Sequence, residues 1–391
     1  MPVVNRIADF ASDMTAWRRY LHTHPELHFD CHQTAAFVVE QLRAFGVDEI
    51  HEGIATSGVV AVIRGRGESD RALGLRADMD ALPMEEQTGL PYASEHKGKM
   101  HACGHDGHTT MLLGAARYLA ETRNFAGHVV LFFQPAEESG GGAGIMVEEG
   151  VMERFGVTEV YGIHNVPGLP EGQISTAPGP VLAAVDTFEI YIDGVGGHGA
   201  YPHETRDPIT ALLGISNAIQ TIVSRNRKGI DDLVVSITQV HAGTTDNVIP
   251  GSAYICGTVR TFDPKVQDMV ERRLGEIVAG QAASYGVEAR LDYGRSYPAT
   301  VNHADQVAFA ASVAEGIAGP ANVSTDIERE MGAEDFSYML EHRPGAFLFL
   351  GQGDGPGLHN PKYDFNDATA PIGASFFARL VETAQPAGQA A

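Results

Sequence analysis

Val129-Val-Leu-Phe-Phe-Gln-Pro-Ala-Glu-Glu138 places five apolar residues directly before a proline-bearing turn and two adjacent carboxylates. A short apolar run bounded by turn residues reads as a buried strand. Open parallel sheets gather ligands beyond the carboxyl ends of their strands. The same plan recurs along the chain. Residues 59–63, 73–78, 160–163 and 346–350 are further short apolar strands. Residues 109–121 read as a helix, with Met111, Leu112, Ala115, Ala116 and Leu119 spaced for one face. An earlier helix starts near Ser12 or Asp13, carries Trp17, Tyr20 and Leu21, and stops at His24-Pro25. Strands alternating with helices imply an α/β domain with a mostly parallel sheet.

The order changes near Val181. Strand 185–192, helix 207–225, strands 233–240 and 253–262, helix 264–285 and strand 287–293 give β-α-β-β-α-β, a ferredoxin-like order. Ala177-Pro-Gly-Pro180 and Arg295-Ser-Tyr-Pro298 flank it as hinges. The expectation is a discontinuous domain of residues 1–180 and 296–391, with 181–295 inserted.

The 391 residues include 50 acidic and 27 basic side chains, for a formal charge of -23. That balance argues against nucleic acid and anionic membranes as partners. No apolar run of about 20 residues is present, so no membrane span is expected. Residues 1–13 lack a signal core, and Cys31, Cys103 and Cys256 are too scattered for a disulfide framework. A cytoplasmic chain is the expectation.

The chemistry concentrates in His101-Ala-Cys-Gly-His-Asp-Gly-His108, which brings three imidazoles, a thiol and a carboxylate into eight residues. These groups suit transition metals. Cys103 and His105, two apart around a glycine, reach one ion or a close pair; His101, Asp106 and His108 suit supporting roles around them. Glu137 and Glu138 point in different directions in an extended segment, so one can bind metal while its neighbour faces water. His164 follows strand 160–163, and His359 follows a glycine-rich loop. Asp78 and Asp80 end strand 73–78, to orient a histidine or brace the ions, with Arg76 close enough to neutralise them. His22, His24, His28 and His32 flank a proline on several faces and read as surface or interface. No Gly-x-Ser-x-Gly elbow, phosphate loop, Gly-x-Gly-x-x-Gly or His-Glu-x-x-His occurs.

Taken together, these segments resemble the metal-dependent amidohydrolases of the M20 peptidase superfamily, in the branch with hippurate hydrolase and the plant indole-acetyl-amino-acid hydrolases. The match runs through Trp17–His22 with Pro25-Glu-Leu27, Arg76-Ala-Asp-Met-Asp-Ala-Leu-Pro83, His101–Asp106, Gln134–Glu138 and Gly162-Ile-His-Asn165. It continues through Gly196-Gly-His-Gly-Ala-Tyr-Pro202, Asn247-Val-Ile-Pro250, Gly332-Ala-Glu-Asp-Phe336 and Leu358-His-Asn-Pro361. The resemblance implies a phosphorylase/hydrolase-like catalytic domain with an inserted lid that dimerises. It implies two divalent ions per subunit (manganese, zinc, cobalt or nickel) on Cys103, His105, Glu138, His164 and His359, with Glu137 as general base and Asp78 in the catalytic set. In the lid, it implies His198 as the carbonyl-polarising residue and Asn247, with Arg260, as carboxylate binders, often reaching into the partner's site. Other branches carry a histidine where this chain has Arg76, which makes the cysteine cluster the replacement.

The implied reaction is hydrolysis of a small N-acyl amino acid by a homodimer or homotetramer. A dipeptidase with the same chemistry, a catalytically silent metal-binding relative and an amidase using Cys103 as nucleophile are the competing readings.

Overall fold

The structure is a computed structural model that describes residues 3–387. The chain divides into two compact units. One holds the described residues up to Val181, Val301–Glu328 and those from Asp335 on; the other holds Leu182–Thr300 and Arg329–Glu334. The second unit therefore runs to Thr300, against the expected 295, and also takes six residues, Arg329–Glu334, from the segment expected in the discontinuous domain.

In the first unit, strands Ala126–Gln134, Gly67–Asp78, Glu159–Val166 and Gly345–Gly351 lie side by side in that order and run parallel. They are apolar because helices cover both faces of such a block. Gly58–Arg64 and Glu49–Ile54 extend one side, and both of these pairings are antiparallel. The reason is connection length: a three-residue turn joins these two strands, and only two residues separate Gly58–Arg64 from Gly67–Asp78. A parallel crossover needs about a dozen residues or more. The short strands Ile174–Ser175 and Val323–Ser324 complete the eight-stranded sheet.

Register sets the site. Asp78 pairs with Gln134, Arg76 with Gly162, and Phe349 with His164. The carboxyl ends of neighbouring strands thus reach one edge. Helix His105–Thr122 begins four residues before the expected start at 109, because Gly104 at φ +95° turns the chain directly into it. Its Met111, Leu112, Ala115, Ala116 and Leu119 are fully buried in the core. Helix Ala370–Ala384 packs against it so closely that a Cβ on Gly373 would sit 2.0 Å from the Met111 sulfur.

The second unit is a four-stranded antiparallel sheet in the order Leu233–Ala242, Ser252–Thr261, Ala184–Asp193, Glu288–Arg295. Helices Pro208–Thr221 and Pro264–Tyr285 complete the β-α-β-β-α-β order. Alternation in Ala184–Asp193 sends Phe188, Ile190 and Ile192 into a core shared with Ile215, Ile219, Val270 and Leu274. Asp207 and Asp263 cap the two helices, accepting from the amides of Ile209 and Lys265, each at 2.8 Å. The helix expected over 207–225 ends at Thr221 and relaxes into a wider π turn over Ile222–Asn226. Among the described residues, no helix is long and apolar enough to cross a membrane.

Candidate metal centre

Cys103 lies in the loop before helix His105–Thr122, His105 opens that helix, and His164 sits near the end of strand Glu159–Val166. Glu137 and Glu138 lie in the turn after strand Ala126–Gln134, and His359 in the loop after strand Gly345–Gly351. Their donor atoms converge into groups whose members lie within 4.8 Å of one another. Cys103, His105 and His164 form one group, and Cys103, Glu138 and His359 another; a third joins His105 to both glutamates.

The distances suit a divalent ion. Cys103 Sγ is 3.5 Å from His164 Nε2. A sulfur at about 2.3 Å and a nitrogen at about 2.1 Å on one tetrahedral ion would stand about 3.6 Å apart. His359 Nε2 is 3.3 Å from Glu138 Oε1, against about 3.4 Å for nitrogen and oxygen donors sharing an ion. Neither ring nitrogen of His105, nor Glu138 Oε1, makes a hydrogen bond, although all three are buried. Buried polar atoms ordinarily find partners. Their neighbours are other charged or metal-binding groups rather than hydrogen-bond partners, Asp78 and Asp80 for His105 and His359 for Glu138, which suits a cation site.

The local field points the same way. Burial alone would lower His105, but Asp78, Asp80 and Glu138 outweigh it and push it up to about 10. Burial and the two glutamates drive the Cys103 thiol well above its ordinary range. Activated nucleophilic cysteines sit in the opposite, electropositive setting, so a cation would be needed to hold Cys103 as thiolate. Burial, with His108 and His105 nearby, holds His164 far below its usual value and keeps it neutral. Its Nδ1 donates to the Asn165 carbonyl at 2.7 Å, which leaves the Nε2 lone pair facing Cys103.

Support comes from residues behind the donors. His108 spans Asp78 Oδ1 at 2.6 Å and Asn165 Oδ1 at 2.7 Å, so both of its ring nitrogens are engaged. Asn165 donates in turn to Tyr363 and Gln352. Asp78, expected in the catalytic set, has its other oxygen 2.7 Å from Arg76 Nη1 and 3.6 Å from His105 Nε2. Burial opposes its charge, yet Arg76 and the two histidines keep it well below the usual carboxylate range. Both oxygens of Asp78 are thus engaged by Arg76 and the two histidines. Asp80 does something the sequence did not reveal. Its two oxygens accept the backbone amides of Glu137 at 3.0 Å and Glu138 at 3.1 Å. One carboxylate thereby fixes both peptide planes of the acidic pair.

Gly104 has no room for a side chain. A Cβ there would lie 2.1 Å from Asn165 Oδ1 and 2.5 Å from the Tyr363 hydroxyl, at a φ that alanine disfavours. Gly104→Ala is expected to weaken divalent-metal affinity about 10- to 100-fold, as disturbed supporting shells do. Calorimetric titration with manganese or zinc checks this; unchanged affinity would reject the packing argument.

His22, expected at the surface or an interface, is fully buried within the chain instead. It bonds Asp106 Oδ2 at 2.7 Å and approaches Glu86 at 3.4 Å, while Arg18 joins Asp106, Asp364 and Asp367. Helix Ala11–Thr23 turns this one histidine inward, and His28 and His32 stay exposed. Burial opposes the His22 charge, but Asp106 and Glu86 outweigh it and push the group up to about 9. A raised value stabilises the fold fully below the unfolded value near 6.5 and loses that contribution as pH rises through about 9. The difference in melting temperature between wild type and His22→Gln should therefore shrink between pH 7 and 10. A constant difference would contradict the charged pair.

The lid candidates lie in the second unit. A two-stranded ribbon pairs His198 with Val248, and the amide of Gly199 donates to the Asn247 carbonyl at 2.8 Å. The structure thus brings His198 and Asn247 together, both exposed. Arg260 is elsewhere, half-buried on strand Ser252–Thr261, where it bonds Thr258 and the Val259 carbonyl.

Comparison with known proteins agrees with this architecture. The profile of peptidase family M20/M25/M40 matches residues 74–383, and the chain belongs to that family. It is 40% identical over 380 residues to hippurate hydrolase of Campylobacter jejuni, covering 97% of this chain and 98% of that protein. It is 40% identical over 369 residues to the N-acetyl-L-cysteine deacetylase of Bacillus subtilis, covering 94% and 86%. Among solved structures it resembles the Bacillus subtilis YXEP protein, described as a dinuclear metal-binding peptidase of the M20 family. The TM-score is 0.84 at 35% identity, over 97% of this chain and 99% of that one. The family read from the motifs is therefore borne out.

Proposed function

We propose that this protein is a metal-dependent amidohydrolase that cleaves N-acyl amino acids of the hippurate or N-acetyl type into a carboxylic acid and a free amino acid. The observation that carries the reading is the acidic pair. Glu138 Oε1 lies 3.3 Å from His359 Nε2 and 3.9 Å from His105 Nε2, and Glu137 Oε2 is likewise 3.9 Å from His105 Nε2, so both carboxylates stand at the donor cluster and only Glu138 also meets His359. Cys103 belongs to both donor groups, so with His105, Glu138, His164 and His359 it would help to hold two divalent ions, each manganese, zinc, cobalt or nickel. Bound cations supply Lewis acidity to the amide carbonyl and to water.

The protein's own groups do the rest. Glu137 accepts a proton from the attacking water and returns it to the departing amine. His198 donates to the oxygen that gains charge, a contribution of about 3 kcal/mol in comparable sites. Asn247 holds the α-carboxylate of the amino acid; Arg260, which lies apart from it on strand Ser252–Thr261, would join it only from a second copy of the chain. The reading includes a homodimer or homotetramer, and a cytoplasmic location that the unpaired cysteines favour.

A panel of N-acetyl and N-benzoyl amino acids against free dipeptides, assayed with each metal, tests the substrate class. N-acyl amino acids should turn over at least about tenfold faster in kcat/KM than the matching dipeptides. Faster dipeptide turnover would make the protein a dipeptidase, and cleavage of neither would leave it a silent relative.

A further inference from the structure

Gly332-Ala-Glu-Asp-Phe336 stands among the family motifs yet has no part in the chemistry above. Its Asp335 is fully buried. The carboxylate accepts from Arg76 Nη2 at 2.9 Å, from Gln134 Nε2 at 2.9 and 2.8 Å, and from the Ala143 amide at 2.9 Å. Gln134 also accepts from Arg76 Nε at 2.8 Å, which closes a ring of guanidinium, amide and carboxylate.

Gln134 and Ala143 are the two ends of the turn that carries Glu137 and Glu138. Asp80 holds its middle by two amides. The turn needs such outside bonds. Ala136, directly before Glu137, stands at φ +58°, and Gly140 at φ +117°. Backbone in these regions persists only when its surroundings over-determine it.

We propose that Asp335 is a positioning residue for Glu137. By holding both ends of the 134–143 turn against Arg76, it sets the direction of the Glu137 carboxylate without touching the substrate. The inference rests on the reading of Glu137 as proton carrier given above.

A double-mutant cycle on the full-length, manganese-loaded protein tests it, with N-benzoylglycine hydrolysis as the assay and metal content and melting temperature as controls. Asp335→Asn should lower kcat about 10- to 100-fold while KM and bound metal stay within about threefold of wild type. Because Asp335 works through Glu137, Glu137→Gln combined with Asp335→Asn should be no slower than Glu137→Gln alone, within about threefold. Losses that multiply in the double variant, or a fall in bound metal that accounts for the lost rate, would overturn the proposal. Near-normal turnover of Glu137→Gln by itself would instead reject the base reading. Should Asp335→Asn fail to fold, Gln134→Met leaves the Arg76–Asp335 pair in place and removes the Gln134 bonds to Asp335 and to Arg76 Nε. It should show the same non-additive loss with Glu137→Gln, and multiplicative loss there would equally overturn the proposal.

Discussion

Glu137→Gln should retain its metal and lose turnover by about 10³- to 10⁴-fold, the upper part of what general base catalysis supplies. The substitution is nearly isosteric, and the Asp80 and Asp335 contacts to the turn use backbone amides and the Gln134 side chain, none of which it alters. Its effect is therefore chemical: an amide cannot take the proton that the carboxylate would carry from water to the leaving amine. Steady-state kinetics with N-benzoylglycine, beside metal analysis of the same samples, separates the two readouts. Normal metal with near-normal kcat would remove Glu137 from the mechanism. Lost metal would recast it as a ligand.

Cys103→Ala should have an effect as large through a different cause. Cys103 is the donor common to both groups, one with His105 and His164 and one with Glu138 and His359. Its loss leaves His164 Nε2 facing a void and removes the anionic sulfur that two cations would share. Bound metal should fall below one ion per chain, and kcat/KM by about 10³-fold or more, since the ligands of a metal site set its affinity outright. The protein should still fold, because the surrounding core is formed by helix His105–Thr122 and the strands, not by the sulfur. Full metal content and full activity in Cys103→Ala would show that the thiol is a bystander.

Much of the donor set was legible because each member lies just past an apolar strand or opens a helix, and parallel strands deliver the residues at their carboxyl ends to one edge. His164 after residues 160–163 and Glu138 after residues 129–133 are plain cases. Asp80 was not legible in the same way. It acts on backbone amides 57 and 58 positions away in the chain, and no residue pattern reports that contact. His22 was read as surface or interface because its cluster flanks a proline on several faces, but its partner Asp106 lies 84 residues on and draws it inward. The antiparallel edge of the sheet was hidden for a third reason. Apolar runs look alike in either direction, and only the two- and three-residue connections around Gly58–Arg64 reveal its sense. The β-α-β-β-α-β order of the second unit was readable, since alternation along its strands and Asp-Pro starts of both helices are local signals, whereas the two-residue strands that pair His198 with Val248 are too short to leave a pattern.

One measurement bears most directly on the claim that this is a two-cation amidohydrolase. Metal-stripped protein is titrated with manganese or zinc while bound ions and N-benzoylglycine hydrolysis are followed together. No turnover is expected without metal, activity should rise with occupancy, and both should saturate at two ions per chain. Hydrolysis that persists after complete chelation, or saturation with no hydrolysis of any N-acyl amino acid, would contradict it.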